Sequence, residues 1–263
     1  MSLLPGVYIA TKKDGTIYYR SSITYQNKHI SLGSYPSELS AHMAFETASD
    51  ILRLNKYNIT DYTIGHIISF DKWVILFNLR DNGFYIKTPI YMKERYFIYY
   101  LNQKDLLKFD TDDLFFYAHH KIMRRGGYLF VSDFGMQINI LSRYGIKNFA
   151  VNGKDYIFVN GDDTDYRYGN IEIINPYYGV SRRYKNGKYI YTSKIHIKGD
   201  YVIGHYQSEI EAAIAYNKAI QILRDKSIEK NYIENYITDL NDIEYAKAYH
   251  NVRISKKVRE YGL

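Results

Sequence analysis

GVSRRYKNGKYIYTSKIHIKGDYVIGHYQSEIEAAIAYNKAIQILR, residues 179 to 224, divides into three short strands followed by one helix. The segments GVSRRY, KYIYTSKIHI and DYVIGHY are rich in Tyr, Ile and Val, and Asn186-Gly187 and Lys198-Gly199 separate them. Those residue types tolerate the positive φ of tight hairpin turns, so the spacing predicts a three-stranded antiparallel meander. Ser208 then precedes Glu211 at capping-box spacing. Ala212, Ala215, Tyr216, Ala219, Ile222 and Leu223 recur at three- and four-residue steps, which predicts a helix with one apolar face. That face is mostly alanine, so the helix can lie close on the meander, covering one side and leaving the other to solvent or a partner.

The same order stands at the start of the chain: Gly6-Val7, Gly15 at the first turn, Tyr19-x-Ser21-x-Ile23, then Leu32-Gly33-Ser34-Tyr35-x-Ser37-Glu38. A helix is expected from near Ser37 to Leu54. Its Ala41, Ala44, Phe45, Ala48, Ile51, Leu52 and Arg53 fall on Ala212, Ala215, Tyr216, Ala219, Ile222, Leu223 and Arg224 at a constant offset. So many coincident positions identify an internal duplication of one small module.

The shared order, with (L/I)-G-x-(Y/F)-x-S-E-x-x-A-x-x-A-(F/Y)-x-x-A at its end, resembles the Apetala-two/ethylene-response-factor DNA-binding domain. Neither copy has the tryptophans usual in plant members, and Tyr19 and Tyr191 stand where the middle-strand aromatic is common. The resemblance implies that the sheet face turned away from the helix enters the major groove of double-stranded DNA, which is wide enough for a sheet. With Tyr19, Ser21 and Ile23 packed inward, strand alternation turns Arg20, Ser22 and Thr24 outward. On the third strand Ile30 and Leu32 point in, leaving His29 and Ser31 out. In the second copy the outward middle-strand residues are Thr192, Lys194 and His196, and the first strand offers Arg182 and Arg183 where the first copy has Ile9 and Ala10. Arginines near these first-strand positions read guanines in the family. If Val180 packs under the helix, Arg183 points outward and Arg182 inward unless a bulge intervenes, so Arg183 is the leading candidate.

Bulk composition sets bounds. The 263 residues suffice for two or three small domains, and the chain has no cysteine, hence no disulfide framework and no thiolate metal site. It has no run of eighteen apolar residues, and MSLLPGVYIA lacks the basic and long apolar regions of a secretory signal, which together fit an intracellular protein. A net charge of +7 favours a polyanionic partner through counterion release. The 31 tyrosines could stack bases, but with abundant Asn, Lys and Ile most of them are accounted for by the codon usage of an A+T-rich genome, a composition compatible with a phage or other mobile element.

Between the copies, residues 59–90 read as one buried strand plus a hairpin around Asp81-Asn82-Gly83, with Trp73, the single tryptophan, as core. ERYFIYYLN reads as a strand, QKDLLKFDTDDLFF as a short polar helix or turn, and a further strand follows Arg124-Arg125-Gly126-Gly127. Asp110, Asp112 and Asp113 read as a solvated helix start rather than a metal cluster. Beyond the second copy a short helix is expected near Asp239, then a basic end with Arg253, Lys256, Lys257 and Arg259, suited either to following a phosphate backbone or to standing as a solvated tail.

FVNGDDTDYRYGNIEIIN, residues 158 to 175, resembles the HNH endonuclease pattern H-I-N-G-D-x-x-D-N-R-x-x-N-L, which often accompanies modules of the first kind in mobile-element nucleases. Asn160, Gly161, Asp162, Asp165, Arg167 and Asn170 keep its residues and spacing. The resemblance puts the general-base histidine on Phe158, the preceding acidic metal ligand on Ile157, and the upstream histidine on Ser142 of Leu141-Ser142-Arg143; only Asn170 of the metal set remains. A phenyl ring cannot deprotonate water and isoleucine cannot hold Mg²⁺, so no catalytic residue and no metal site is expected. His119 and His120, adjacent on an expected strand, would face opposite ways and could not replace them together. Asn160, Asp165 and Arg167 read as a turn scaffold whose polar side chains satisfy backbone amides.

The resulting expectation is an α+β chain: two three-stranded sheet-plus-helix modules, residues 1–58 and 177–236, flank a degenerate ββα HNH-like domain, residues 59–176, with a helix and basic tail at 237–263. The implied protein is a sequence-selective double-stranded DNA-binding protein derived from a homing-type nuclease that has lost its catalytic residues, suited to use as a transcriptional regulator and without a cofactor. An active nuclease with a rewired site, or a protein that binds and inhibits a host protein, are the competing classes.

Overall fold

The computed structural model describes residues 3–228 and 230–262. The chain is α+β, built from small antiparallel sheets and a few helices, and it divides into two compact units rather than four segments. One unit reaches to Asn139 and also takes in Asp162–Tyr168; the other comprises Ile140–Gly161 and Gly169 onward. The segment expected to be a separate central domain is therefore shared between the two.

In the first unit, β1 (Val7–Thr11), β2 (Ile17–Tyr25) and β3 (Lys28–Tyr35) form the expected meander. The helix α1 (Glu38–Ser49) covers it; Ser37 caps the helix by accepting the Ser40 amide at 3.1 Å, and Ala41, Ala44 and Ala48 are fully buried. A single wide π-turn, Asp50–Leu54, ends it at Asn55 in the left-handed region. The next element departs from expectation. FDKWVILFNLRDN is a helix, α2 (Phe70–Asn82), capped by Ser69 and closed by Gly83 at φ 73°, and not a strand and hairpin. Seven consecutive residues, Trp73 to Leu79, are buried, so the apolar run has no period from which helix and strand can be told apart. Trp73 and Phe77 join one core with Ile23, Ile30, Ala48 and Ile51.

The sheet β4 (Ile90–Met92), β5 (Tyr96–Tyr100), β6 (Leu106–Asp110) follows. LLKFD is thus a strand, not a polar helix: Leu107 and Phe109 alternate inward, and Phe109 stacks on Phe97 at 5.4 Å. Residues 162–168 run beside β6, with the Lys108 amide donating to the Thr164 carbonyl at 2.9 Å and the Tyr166 amide to the Lys108 carbonyl at 2.8 Å. A 3-10 turn, Thr111–Asp113, leads into α3 (Leu114–His119). His119 and His120 therefore end a helix, where their Nδ1 atoms bond the carbonyls of Phe115 and Phe116 at 2.8 and 2.9 Å, rather than lying on a strand. A last meander of this unit comprises β7 (Ile122–Arg125), β8 (Tyr128–Asp133) and β9 (Met136–Asn139).

The second unit opens with the hairpin β10 (Tyr156–Phe158) and β11 (Ile171–Ile173). No helix follows it: Ile174-Asn175-Pro176 lead directly toward β12, so the expected ββα unit lacks its helix. The second module is β12 (Val180–Lys185), β13 (Lys188–His196), β14 (Asp200–Tyr206) and α4 (Glu209–Asp225). Ser208 sits at its N-cap with extended backbone, but its side chain makes no cap bond. Behind α4 lies α5 (Asp242–Asn251), capped by Asn241 and Glu244. The basic end is not a solvated tail. Ile254 and Val258, the latter in α6 (Lys256–Arg259), are buried in the module core, and the Ser255 amide donates to the Ile203 carbonyl at 2.8 Å. Among the described residues no helix is long and apolar enough to cross a membrane.

The duplication extends to irregularities. The β2–β3 register shifts after Ser21 and the β13–β14 register after Ser193, leaving Leu32 and Ile203 as the extra residues of two matching bulges. Gly6 and Gly179, at φ 75° and 71°, accept amides from Ser22 and Lys194 at 3.0 and 2.8 Å. A Cβ on either would fall 2.1 Å from the Phe45 ring or 2.2 Å from the Tyr216 ring. Only glycine allows both the backbone conformation and this approach of the helix aromatic.

Candidate nucleic-acid interface

Pairing register fixes which side chains share a face, because directly opposed residues of an antiparallel pair point the same way. In the first module Ser21 opposes Val7 and Ile23 opposes Ile30, all buried beneath α1. The other face carries Arg20 opposite Tyr8 and Ser34, Thr24 opposite His29, and Ser22 opposite Ser31. Arg20, Thr24, His29 and Ser31 are exposed as expected. Ser22 is not: it is 7% exposed, a side chain too short to clear its neighbours at the bulge, and its hydroxyl has no hydrogen-bond partner among the described residues. It leaves the set of contact candidates. Arg20 is oriented along the strand by its own face, its guanidinium donating to the Tyr18 hydroxyl at 2.9 Å and lying 5.6 Å from that ring's centre.

In the second module Val180 opposes Ser193 and both are buried, so Arg183, opposite Ile190, turns outward and is exposed. β12 pairs with β13 without a bulge, and Arg182 consequently points to the helix side. There it is half-buried, 3.8 Å from a Glu172 oxygen and 5.2 Å from the centre of the Tyr189 ring. Arg182 thus lies where strand alternation without a bulge puts it, and it still lines one groove with Arg183. Thr192, Lys194 and His196 share the outward face with Arg183; Thr192 Oγ1 lies 3.0 Å from His205 Nδ1, and His196 Nδ1 lies 2.8 Å from Asp200 Oδ1. That hydrogen bond holds the Asp200 carboxyl below the usual carboxylate range.

The groove, of about 1240 Å³, is lined by Arg183, Thr192, Lys194 and His196 of the outward face and also takes in Arg182 and Tyr216 from the helix side. Lys147, Asn148, Phe149 and Lys154 line it as well. Lys147 is spoken for: it pairs with Asp155 at 3.0 Å with both side chains nine-tenths buried, and burial lowers its pKa. Arg183, Lys185, Lys194 and Lys154 are all exposed in the groove, whereas Asp200, its one exposed carboxylate, is held by His196. Sequence reasoning missed Lys154 and Phe149, which lie far from the module in the chain and carry no periodic signal. It also passed over His205, which alternation along the third strand would have found.

The HNH-like positions are structural in this fold. Phe158 is 8% exposed, its ring 5.7 Å from Tyr156. Asn170 is 6% exposed; its Oδ1 accepts the Asn160 amide and its carbonyl the Val159 amide, each at 2.8 Å, closing the hairpin. Ser142 lies exposed in the 3-10 turn Ile140–Tyr144, its carbonyl accepting the Gly145 amide at 3.1 Å. Asp165 is fully buried and takes Arg167 in a two-pronged pair at 2.8 and 2.6 Å, which raises the arginine's pKa. Asp162 accepts the Thr164 amide and hydroxyl and the Lys108 ammonium, bonds that bring its carboxyl down to about 2. Among the described residues no group of three His, Asp or Glu is arranged to hold a metal ion, and Asp110 and Asp113 instead bond the Tyr168 amide and hydroxyl at 2.7 and 3.4 Å. No family model, curated protein or solved structure matches this chain, so what its two outward faces bind has to be argued from their own geometry and charge.

Proposed function

We propose that this is a sequence-selective double-stranded DNA-binding protein that lays the outward faces of its meanders in the major groove. In this reading it descends from a homing-type nuclease, keeps the HNH hairpin as scaffold and has no hydrolytic activity. The observation that carries the reading is the placement of Arg183 and Lys194, both exposed on the sheet face turned away from α4, in a groove whose exposed charges are mostly cationic. An exposed arginine on a sheet of groove-sized width suits two-pronged donation to guanine, and a lysine beside it suits a phosphate. The first module has the same surface with fewer cations, Arg20 and His29 being its candidates.

Selection of bound duplexes from a random pool at about 50 mM salt tests this directly. A recovered motif that Arg183→Ala relaxes at one base pair supports the proposal; failure to retain any duplex overturns it and favours a protein partner. Supercoiled plasmid incubated with Mg²⁺ or Mn²⁺ should stay intact, and nicking would restore the nuclease reading.

A further inference from the structure

Resting on the proposal that the second module binds duplex DNA, we infer that Phe149 is a wedge that enters the base stack and kinks the duplex at the lip of the groove. Phe149 lines the same groove as Arg183 and Lys194, yet its side chain is 86% exposed, an apolar ring held in water beside cations. Single exposed apolar residues are common on proteins, so exposure alone carries little. Its φ is 63°, a left-handed conformation that an aromatic L-residue adopts only where its surroundings impose it. Phe134, at φ 45° and 95% exposed in the turn between β8 and β9, shares that conformation, so what distinguishes Phe149 is the cationic groove it lines and the hydrogen bonds that hold its loop.

The surroundings of Phe149 are hydrogen-bonded on both sides of the ring. On one side Lys147 is anchored by the Asp155 carboxylate at 3.0 Å and the Tyr177 carbonyl at 2.7 Å. On the same side the Asn148 amide donates to the Tyr178 hydroxyl at 3.2 Å, and on the other Asp155 Oδ2 accepts the Val151 amide at 2.9 Å. The loop is tied at both feet while its apex ring touches nothing that would bury it. Minor-groove proteins that bend DNA insert apolar wedges between base steps and repay the unstacking with the extra surface the bend wraps, and a ring at the lip of a sheet laid in the major groove can make the same exchange from the opposite side. Lys154 and Lys194, lining the groove with Phe149, are the cations placed to meet the phosphates of the bent duplex.

The test uses the full chain and a duplex recovered from the random-pool selection. 2-Aminopurine placed at successive positions should brighten at one step on binding, and end-labelled duplex should report shortening by energy transfer. Phe149→Ala should abolish both signals and weaken binding about tenfold, while Phe149→Leu, which keeps an apolar wedge, should retain most of the bend. Arg183→Ala should alter base preference and leave the bend in place. Wild-type protein that binds the duplex without brightening any position, or Phe149→Ala that bends it as well as wild type, overturns the wedge and leaves the DNA-binding reading standing. If wild type retains no duplex, both fail. Circular dichroism of Phe149→Ala should match wild type, since the ring packs on no core.

Discussion

At the scale of single residues, the outward faces separate two kinds of cation. Arg183→Ala should relax preference at one base pair by about 1–3 kcal/mol, the usual discrimination of a two-pronged arginine–guanine contact, as read from competition among single-base variants of the recovered site. Lys194→Ala should instead weaken all sequences alike and lower the slope of log affinity against log salt by about one, in a titration over ionic strength. A third residue bears on stability. The folded-state carboxyl of Asp162, near 2, lies below its unfolded value of about 4, so its pairing with Lys108 and Thr164 stabilises the fold above pH 4 and is lost as pH falls from about 4 toward 2. Asp162 and Lys108 are each about one-third exposed, so solvent screens the effect to about 1 kcal/mol or less. Asp162→Asn should flatten the acid limb of urea-denaturation midpoints measured across that window; an unchanged limb would remove the pair from the account.

At the scale of elements, what was legible followed from period and punctuation. The two meanders and their helices showed because Gly15 and Asn186-Gly187 mark turns, while alanines at three- and four-residue steps mark helices. α2 was misread because an element buried from Trp73 to Leu79 has no polar face to supply a period. LLKFD was misread because Lys108 and Asp110, the outward residues of a strand, look like a polar helix when its inward partners are few. Neither bulge left any signal in the sequence, and so Ser22 was placed in solvent. The glycine beneath each helix is the sharpest test of the packing. Gly179→Ala must adopt φ near 71° and put a methyl 2.5 Å from the Lys194 carbonyl oxygen, so it should cost about 2–3 kcal/mol, a fall in Tm of roughly 5–10 °C by calorimetry. A loss under about 1 kcal/mol would mean that the strand start slides to accommodate the methyl.

At the scale of the whole molecule, the matching bulges allow the two copies to be aligned residue by residue without ambiguity. Five inward positions are identical, Tyr19 and Tyr191, Ser21 and Ser193, Ile23 and Ile195, Gly33 and Gly204, Tyr35 and Tyr206, while Ile9 answers to Arg182 and Ile30 to Tyr201. Outward positions agree nowhere. Tyr8 answers to Ser181, Ala10 to Arg183, Arg20 to Thr192, Ser22 to Lys194, Thr24 to His196 and Ser34 to His205. Between the two copies, then, the side that folds changed less than the side proposed to meet DNA. Two palms cast from one mould now carry different fingerprints, and a target touched by both should be neither a palindrome nor a direct repeat. Sequencing of the pool retained by the intact chain should return an asymmetric site of two unlike halves, and two copies of one motif would show that the divergence of the faces has no bearing on what they grip.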